Sequence, residues 1–113
     1  MTTWDFAQLP PEVKEQPMEQ VTITRHDAGN TGEYHAHVDG SDLIGRLTWV
    51  KHGAVRVADH TLVPPPLGGR GIAAKLVDAL IADARAQGFT IDPQCSYVEA
   101  AFRKNPAWAD LRA

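Results

Sequence analysis

From Val21 onward the chain alternates. Val21 and Ile23 are followed by Tyr34, Ala36 and Val38 at every second position, with Ala28-Gly29-Asn30-Thr31-Gly32 between the two runs. Side chains of a strand point to opposite faces in turn, so this pattern predicts two half-buried strands joined as a hairpin. Val38-Asp39-Gly40-Ser41 has the residues of a second turn, and Leu43 to Val50 predicts a third strand with Leu47 and Trp49 on one face. After His52-Gly53, Ala54 to Val63 predicts a fourth strand, with Val55, Val57, Thr61 and Val63 in alternation and Asp59 interrupting. The first half therefore reads as an antiparallel meander.

The second half changes period. Ile72, Ala73, Leu76, Val77, Leu80, Ile81 and Ala84 follow the spacing of one helical face, and Gly88 stands where a left-handed C-terminal cap belongs. Asp78, Asp83 and Arg85 fall on the polar side of that helix. Phe89 to Asp92 predicts a short strand stopped by Pro93, and a helix between two strands most simply makes those strands parallel. Ser96-Tyr97-Val98-Glu99 matches a capping box, so a second helix is expected from Cys95 or Ser96 to Asn105-Pro106, with Trp108 and Leu111 returning to the core. The fold class is α+β, an antiparallel β-meander followed by β-α-β-α, forming one mixed sheet flanked by helices. Residues 1–18, with Pro10, Pro11 and Pro17 and no sustained period, read as an irregular arm pinned by Trp4, Phe6 and Leu9. Residues 19–113 then form a single domain.

Composition narrows the function classes. A chain of 113 residues supports one modest core, and 43% hydrophobic with 22% charged residues is globular usage without a membrane-spanning run. A formal charge of -3 does not favour a nucleic-acid surface, and the N-terminal residues have neither secretory nor transit character, so a cytoplasmic location is expected. The single cysteine, Cys95, cannot form an internal disulfide. His35 and His37 have an H-x-H spacing, but no further Cys/His pair at ligand spacing completes it, so no metal site is expected.

The densest chemistry lies in Leu62-Val63-Pro64-Pro65-Pro66-Leu67-Gly68-Gly69-Arg70-Gly71-Ile72-Ala73. These glycines open the first helix, where backbone N–H groups lack intrahelical partners and the dipole favours negative charge. Glycine also lets backbone approach phosphate oxygens closely, so an anion is the natural guest. The P-loop pattern fails because Leu76 follows Lys75, leaving no hydroxyl for Mg²⁺. Gly69-x-Gly71-x-x-Ala74 does satisfy a dinucleotide fingerprint, with Asp92 near the offset of a ribose-binding acid. Against that reading stand the three prolines, where a tight turn is needed, and the meander, where parallel strands would precede.

The same stretch resembles the acetyl-CoA-binding motif of the GNAT N-acetyltransferases, Gln/Arg-x-x-Gly-x-Gly/Ala. His60-Thr61-Leu62-Val63-Pro64 before it and Pro93-Gln94-Cys95-Ser96-Tyr97-Val98 after it are similar to the small stand-alone branch of that family, as is Asn105-Pro106-Ala107-Trp108. The resemblance covers about Gly32 to Leu111. Gly68 departs from it, standing where the family has Gln or Arg.

The resemblance implies acetyl-CoA as cosubstrate, bound where the fourth and fifth strands splay, with its pyrophosphate on Gly68, Gly69, Arg70, Gly71, Ile72 and Ala73. It implies an oxyanion donor among the backbone N–H groups of Thr61, Leu62 and Val63. His60 is the candidate base for an amine that is mostly protonated at neutral pH. Cys95, just before a helix N-terminus, is the candidate acid for the departing CoA thiolate or a transient acetyl acceptor. Residues 28–32 leave no room for the helices that build the acceptor site in larger relatives, which points to an open site for a protein or peptide amine. A non-catalytic CoA-binding module and a dinucleotide-binding fragment are the alternatives.

Overall fold

The structure, a computed structural model, describes residues 20–113. The expected N-terminal arm, with Trp4, Phe6 and Leu9, lies outside the described residues. The elements run β1 (Val21–Asp27), β2 (Thr31–Val38), β3 (Ile44–His52), β4 (Val55–Leu62), α1 (Ile72–Gln87), β5 (Thr90–Pro93) and α2 (Ser96–Lys104). Short 3-10 turns at Pro65–Leu67 and Pro106–Leu111 precede α1 and follow α2. The strands form one sheet in the order β1-β2-β3-β4-β5. The meander pairs antiparallel, and β5 lies parallel to β4 as expected of a strand returned by a helix. No helix among the described residues is long and apolar enough to cross a membrane.

One face of the sheet carries the core. Tyr34, Ala36 and Val38 of β2 and Leu47 and Trp49 of β3 are buried, and they meet Ile72, Leu76, Leu80 and Ala84 of α1. The helix comes close at Gly45, where a Cβ would lie 3.1 Å from Ile72 Cγ2. Gly32 is also required by space, since a Cβ there would overlap the Trp49 ring. Helix α2 adds Val98 and Phe102 to the same core, and Leu111 returns beside them with Trp108 edge-on to Phe102 at 5.7 Å. Gly88 ends α1 at φ 80°, its N–H donating to Ala84 O at 2.8 Å.

Two expectations need correction. Alternation placed Val55, Val57, Thr61 and Val63 on one face of the fourth strand, but the register slips within it. Ala58 is opposite Trp49 and His60 is opposite Thr48, leaving Asp59 as an extra residue. A bulge of this kind reverses the facing of the residues after it. Val57 pairs with Val50 on the outer face, whereas Thr61 pairs with Leu47 on the core face. The expected capping box also does not form. Ser96 is the first helical residue, Cys95 is the N-cap, and there is no side-chain cap bond. The Glu99 carboxylate instead accepts from Arg112 at 2.8 Å, because the C-terminal segment runs beside α2 and offers a cation.

Candidate functional site

The loop between β4 and α1 is built by its prolines and glycines in succession. Leu67 N–H donates to Pro64 O at 2.8 Å and Gly68 N–H to Pro65 O at 2.9 Å, closing the 3-10 turn while the Leu67 side chain is buried in the core. The chain then passes Gly69 at φ 76° and Gly71 at φ 73°, left-handed conformations that any side chain would strain. Gly71 is the N-cap of α1, and the helical ladder begins with Lys75 N–H donating to Gly71 O at 3.2 Å. The N–H groups of Ile72, Ala73 and Ala74 therefore lack partners within the helix. No acidic residue occupies the first turn. Buried Ile72 anchors this end against β3, so the N-terminus of α1 is held in place with its positive end outward. Gly68 differs from its neighbours, having φ -65° and ψ 154°, which any residue can adopt.

Next to this loop the sheet opens. Strand β5 pairs with β4 only as far as Ala58 opposite Pro93, and Cys95 N–H adds one bond to Ala58 O at 2.9 Å. Strand β4 continues to Leu62, still paired with β3. Among the described residues, no strand pairs with Asp59–Leu62 on the β5 side. The bulge falls at the point where the two strands part, and it turns Thr61 to the face that carries Cys95.

Cys95 and Thr61 meet across this opening, the thiol donating to Thr61 Oγ1 at 3.4 Å. Partial burial pushes the thiol pKa up, but hydrogen bonds to the thiolate from the Thr61 side chain and the backbone at Val98, Tyr97 and Thr61 outweigh it. The net shift is downward. The cause is local geometry, with the sulfur at an N-cap beside the first N–H groups of α2. A proton leaves this sulfur more readily than an ordinary thiol, and the resulting anion has donors in place.

The predicted residues separate into groups. Thr61 and Cys95 are in contact; Gly68, Gly69, Arg70 and Gly71 form the exposed rim of the loop; Ile72 and Ala73 contribute backbone, Ile72 having its side chain in the core. Leu62 is 61% exposed beside the half-buried Val63. His60 is exposed and pairs with Thr48 on the outer face, so the structure does not bring its ring to Cys95.

Three features escaped the sequence reading. A groove of about 270 Å³ lies between α1 and α2, lined by Ala74, Val77, Tyr97, Ala101 and Trp108 and leading away from the loop. Its signal was present in the small residues Ala74, Ala100 and Ala101, which leave the space between the helices unfilled. Asp83, expected on a solvated helix face, accepts from Arg25 Nε and Tyr34 Oη, both at 2.7 Å, and so joins α1 to β1 and β2. The bulge at Asp59 was visible only as a charged residue interrupting an apolar alternation.

A parallel strand pair thus parts beside a glycine-rich helix N-terminus, with a thiol at the opening. The family profile of the GCN5-related N-acetyl-transferases matches residues 33–111, and the chain belongs to that family. No curated protein matches the chain.

Proposed function

We propose that the protein is an acetyl-CoA-dependent N-acetyltransferase acting on an amine of a protein or peptide. The observation that carries this reading is the opening between β4 and β5, with the α1 N-terminus on one side and the Cys95–Thr61 pair on the other. Family membership supports the acetyltransferase class.

On this reading the pyrophosphate rests on the loop, held by backbone N–H groups from Gly69 to Ala74 and by the charge of Arg70. The amine lone pair attacks the thioester carbonyl, and an N–H on the unpaired edge of β4 between Thr61 and Val63 stabilises the developing oxyanion. As the carbon–sulfur bond breaks, Cys95 gives its proton to the CoA thiolate. The Cys95 thiolate left behind accepts from Thr61 and from the first turn of α2, and solvent reprotonates it. The amine loses its proton to water, with His60 acting through that water from the outer face. Residues 28–30 connect β1 to β2 directly, so no helix of this segment encloses the acceptor, which suits a residue on a larger partner.

Calorimetric titration with acetyl-CoA, CoA and NAD tests the ligand. Stoichiometric heat with both CoA species and none with NAD is expected, whereas tight NAD binding without CoA heat sinks the proposal in favour of a dinucleotide fragment. Release of CoA thiol on adding amine-bearing peptides separates an enzyme from a non-catalytic CoA-binding module, a second reading favoured by the missing side chain at Gly68. For Cys95 as proton donor, Cys95→Ala should lower kcat about a hundredfold, within the usual range for acid–base groups. The wild-type rate should fall as pH rises through the lowered thiol pKa, and that limb should vanish in the variant. An acetyl adduct on Cys95, seen by intact mass after acetyl-CoA alone, would replace the proton-donor role with a covalent one.

A further inference from the structure

The outer face of the sheet carries a feature that the acetyl-transfer site does not use. Strand β1 is antiparallel to β2 with Thr24 opposite His35, His26 opposite Glu33 and Thr22 opposite His37. Cross-strand partners share a face, so His26, His35 and His37 stand on one side of the hairpin, away from α1. One ring nitrogen from each of the three lies within 4.8 Å of those of the other two. Sequence spacing showed only the pair on β2; the third histidine comes from the neighbouring strand, nine positions before His35.

The surroundings already orient these rings. Nε2 of His26 and Nε2 of His37 converge on Thr24 Oγ1, at 2.8 and 2.9 Å. Nε2 of His35 is 2.7 Å from Glu33 Oε1. A carboxylate that accepts from one ring nitrogen fixes the proton there and leaves the other nitrogen as a lone-pair donor, the arrangement that backs histidine ligands in metal sites. The His26 and His35 rings stack with centroids 3.9 Å apart.

We propose that His26, His35 and His37 form a binding site for a borderline divalent transition metal of the Zn²⁺ type, supported by Glu33. Three imidazoles and a water make a tetrahedral set for such an ion. Ring nitrogens around zinc stand roughly 3.3 Å apart, from metal–nitrogen lengths of about 2.0–2.1 Å. The three side chains therefore close inward from their present spacing by rotation, which exposed His26 is free to do. In doing so His26 and His37 exchange their bonds to Thr24 for bonds to the metal. The ion then clips edge strand β1 to β2.

The test is titration of the chelator-treated full chain with Zn²⁺ by calorimetry, together with the visible absorption of the Co²⁺ form. One Zn²⁺ per chain, a tetrahedral Co²⁺ spectrum and a melting temperature raised by Zn²⁺ are expected. His26→Gln, His35→Gln and His37→Gln should each remove the saturable binding and the Zn²⁺-dependent rise in melting temperature. Glu33→Gln should weaken binding about tenfold to a hundredfold. His52→Gln, remote from the cluster at the far end of β3, should bind as the wild type does. Wild-type protein without stoichiometric Zn²⁺ binding overturns the proposal. So does binding that survives all three cluster variants, for example at Cys95. Melting curves without metal show that each variant is folded, and the Co²⁺ spectrum of the unaltered chain tests histidine ligation independently of any variant.

Discussion

Gly68 is the position where backbone and side chain make separate demands. Gly69 and Gly71 need glycine because their φ values are positive, but Gly68 has an ordinary extended backbone. A Cβ there would lie 3.2 Å from Pro65 O, so the turn must give by a few tenths of an ångström. Gly68→Arg or Gly68→Gln should therefore fold and, by adding a polar group at the rim of the proposed anion site, tighten CoA binding about threefold to tenfold, a gain near the typical net worth of one hydrogen bond. Calorimetry of CoA binding checks this, and unchanged affinity in both variants would mean that the side chain at this position points away from the phosphates. Gly69→Ala is the contrasting change: it meets no neighbouring atom, yet its φ of 76° strains any side chain, at a cost of about 1–2 kcal/mol by thermal unfolding.

At the level of the element, β4 is two half-strands joined by Asp59. Before the bulge its core-facing residue is Ala58, and after it Thr61 takes that face. Deleting Asp59 would join Ala58 to His60 in the register both already hold, removing the bulge while His60 stays outward and Thr61 stays on the core face. The expected result is that the Thr61–Cys95 bond and acetyl transfer are kept, with the β-sheet signature in circular dichroism retained. Activity lost in a folded deletion variant would show that the facing of Thr61 is not enough and that the bulge itself is needed for the chemistry. In the sequence this feature left only Asp59 interrupting the alternation, because the slip itself shows only against the partner strand. The capping box failed for a related reason. Ser96 and Glu99 have the right spacing, but whether Glu99 turns back to its own helix depends on Arg112, which the chain brings alongside from a distance. By contrast, Leu47 and Trp49 on one face, and Ile72 to Ala84 along one helix side, were readable because burial imposes their period locally.

For the molecule as a whole, the sheet and α1 are tied at their margin by Asp83. Its carboxylate is pushed up by partial burial, yet bonds from Arg25 and Tyr34 pull it net below the usual carboxylate range. A depressed folded-state pKa means stabilisation that is present above the unfolded value, about 3.9, and lost as pH falls through the folded one. Asp83→Asn should lower stability at neutral pH by about 1–2 kcal/mol, the figure kept low because Arg25 is half exposed. Melting curves from neutral to strongly acidic pH should show the wild type losing its advantage over the variant as the carboxylate protonates. A constant gap across that range would assign the effect to packing instead. Neither this tie nor the convergence of His26 with His35 and His37 was legible in the sequence, because each joins residues through the three-dimensional register. The loop, Cys95 and Thr61 were legible because they lie within short contiguous motifs.

On the proposed function, the unpaired stretch of β4 would make the bound ligand part of the architecture. A strand edge with open amide groups invites another chain, so protein stripped of its ligand should be the form that self-associates on storage. An extended amide-bearing ligand lying along Asp59–Leu62 would fill the place of the strand that β5 does not supply. It should slow amide hydrogen exchange in that segment more than elsewhere in the sheet. Purification in the presence of CoA should then limit self-association as well as preserve activity.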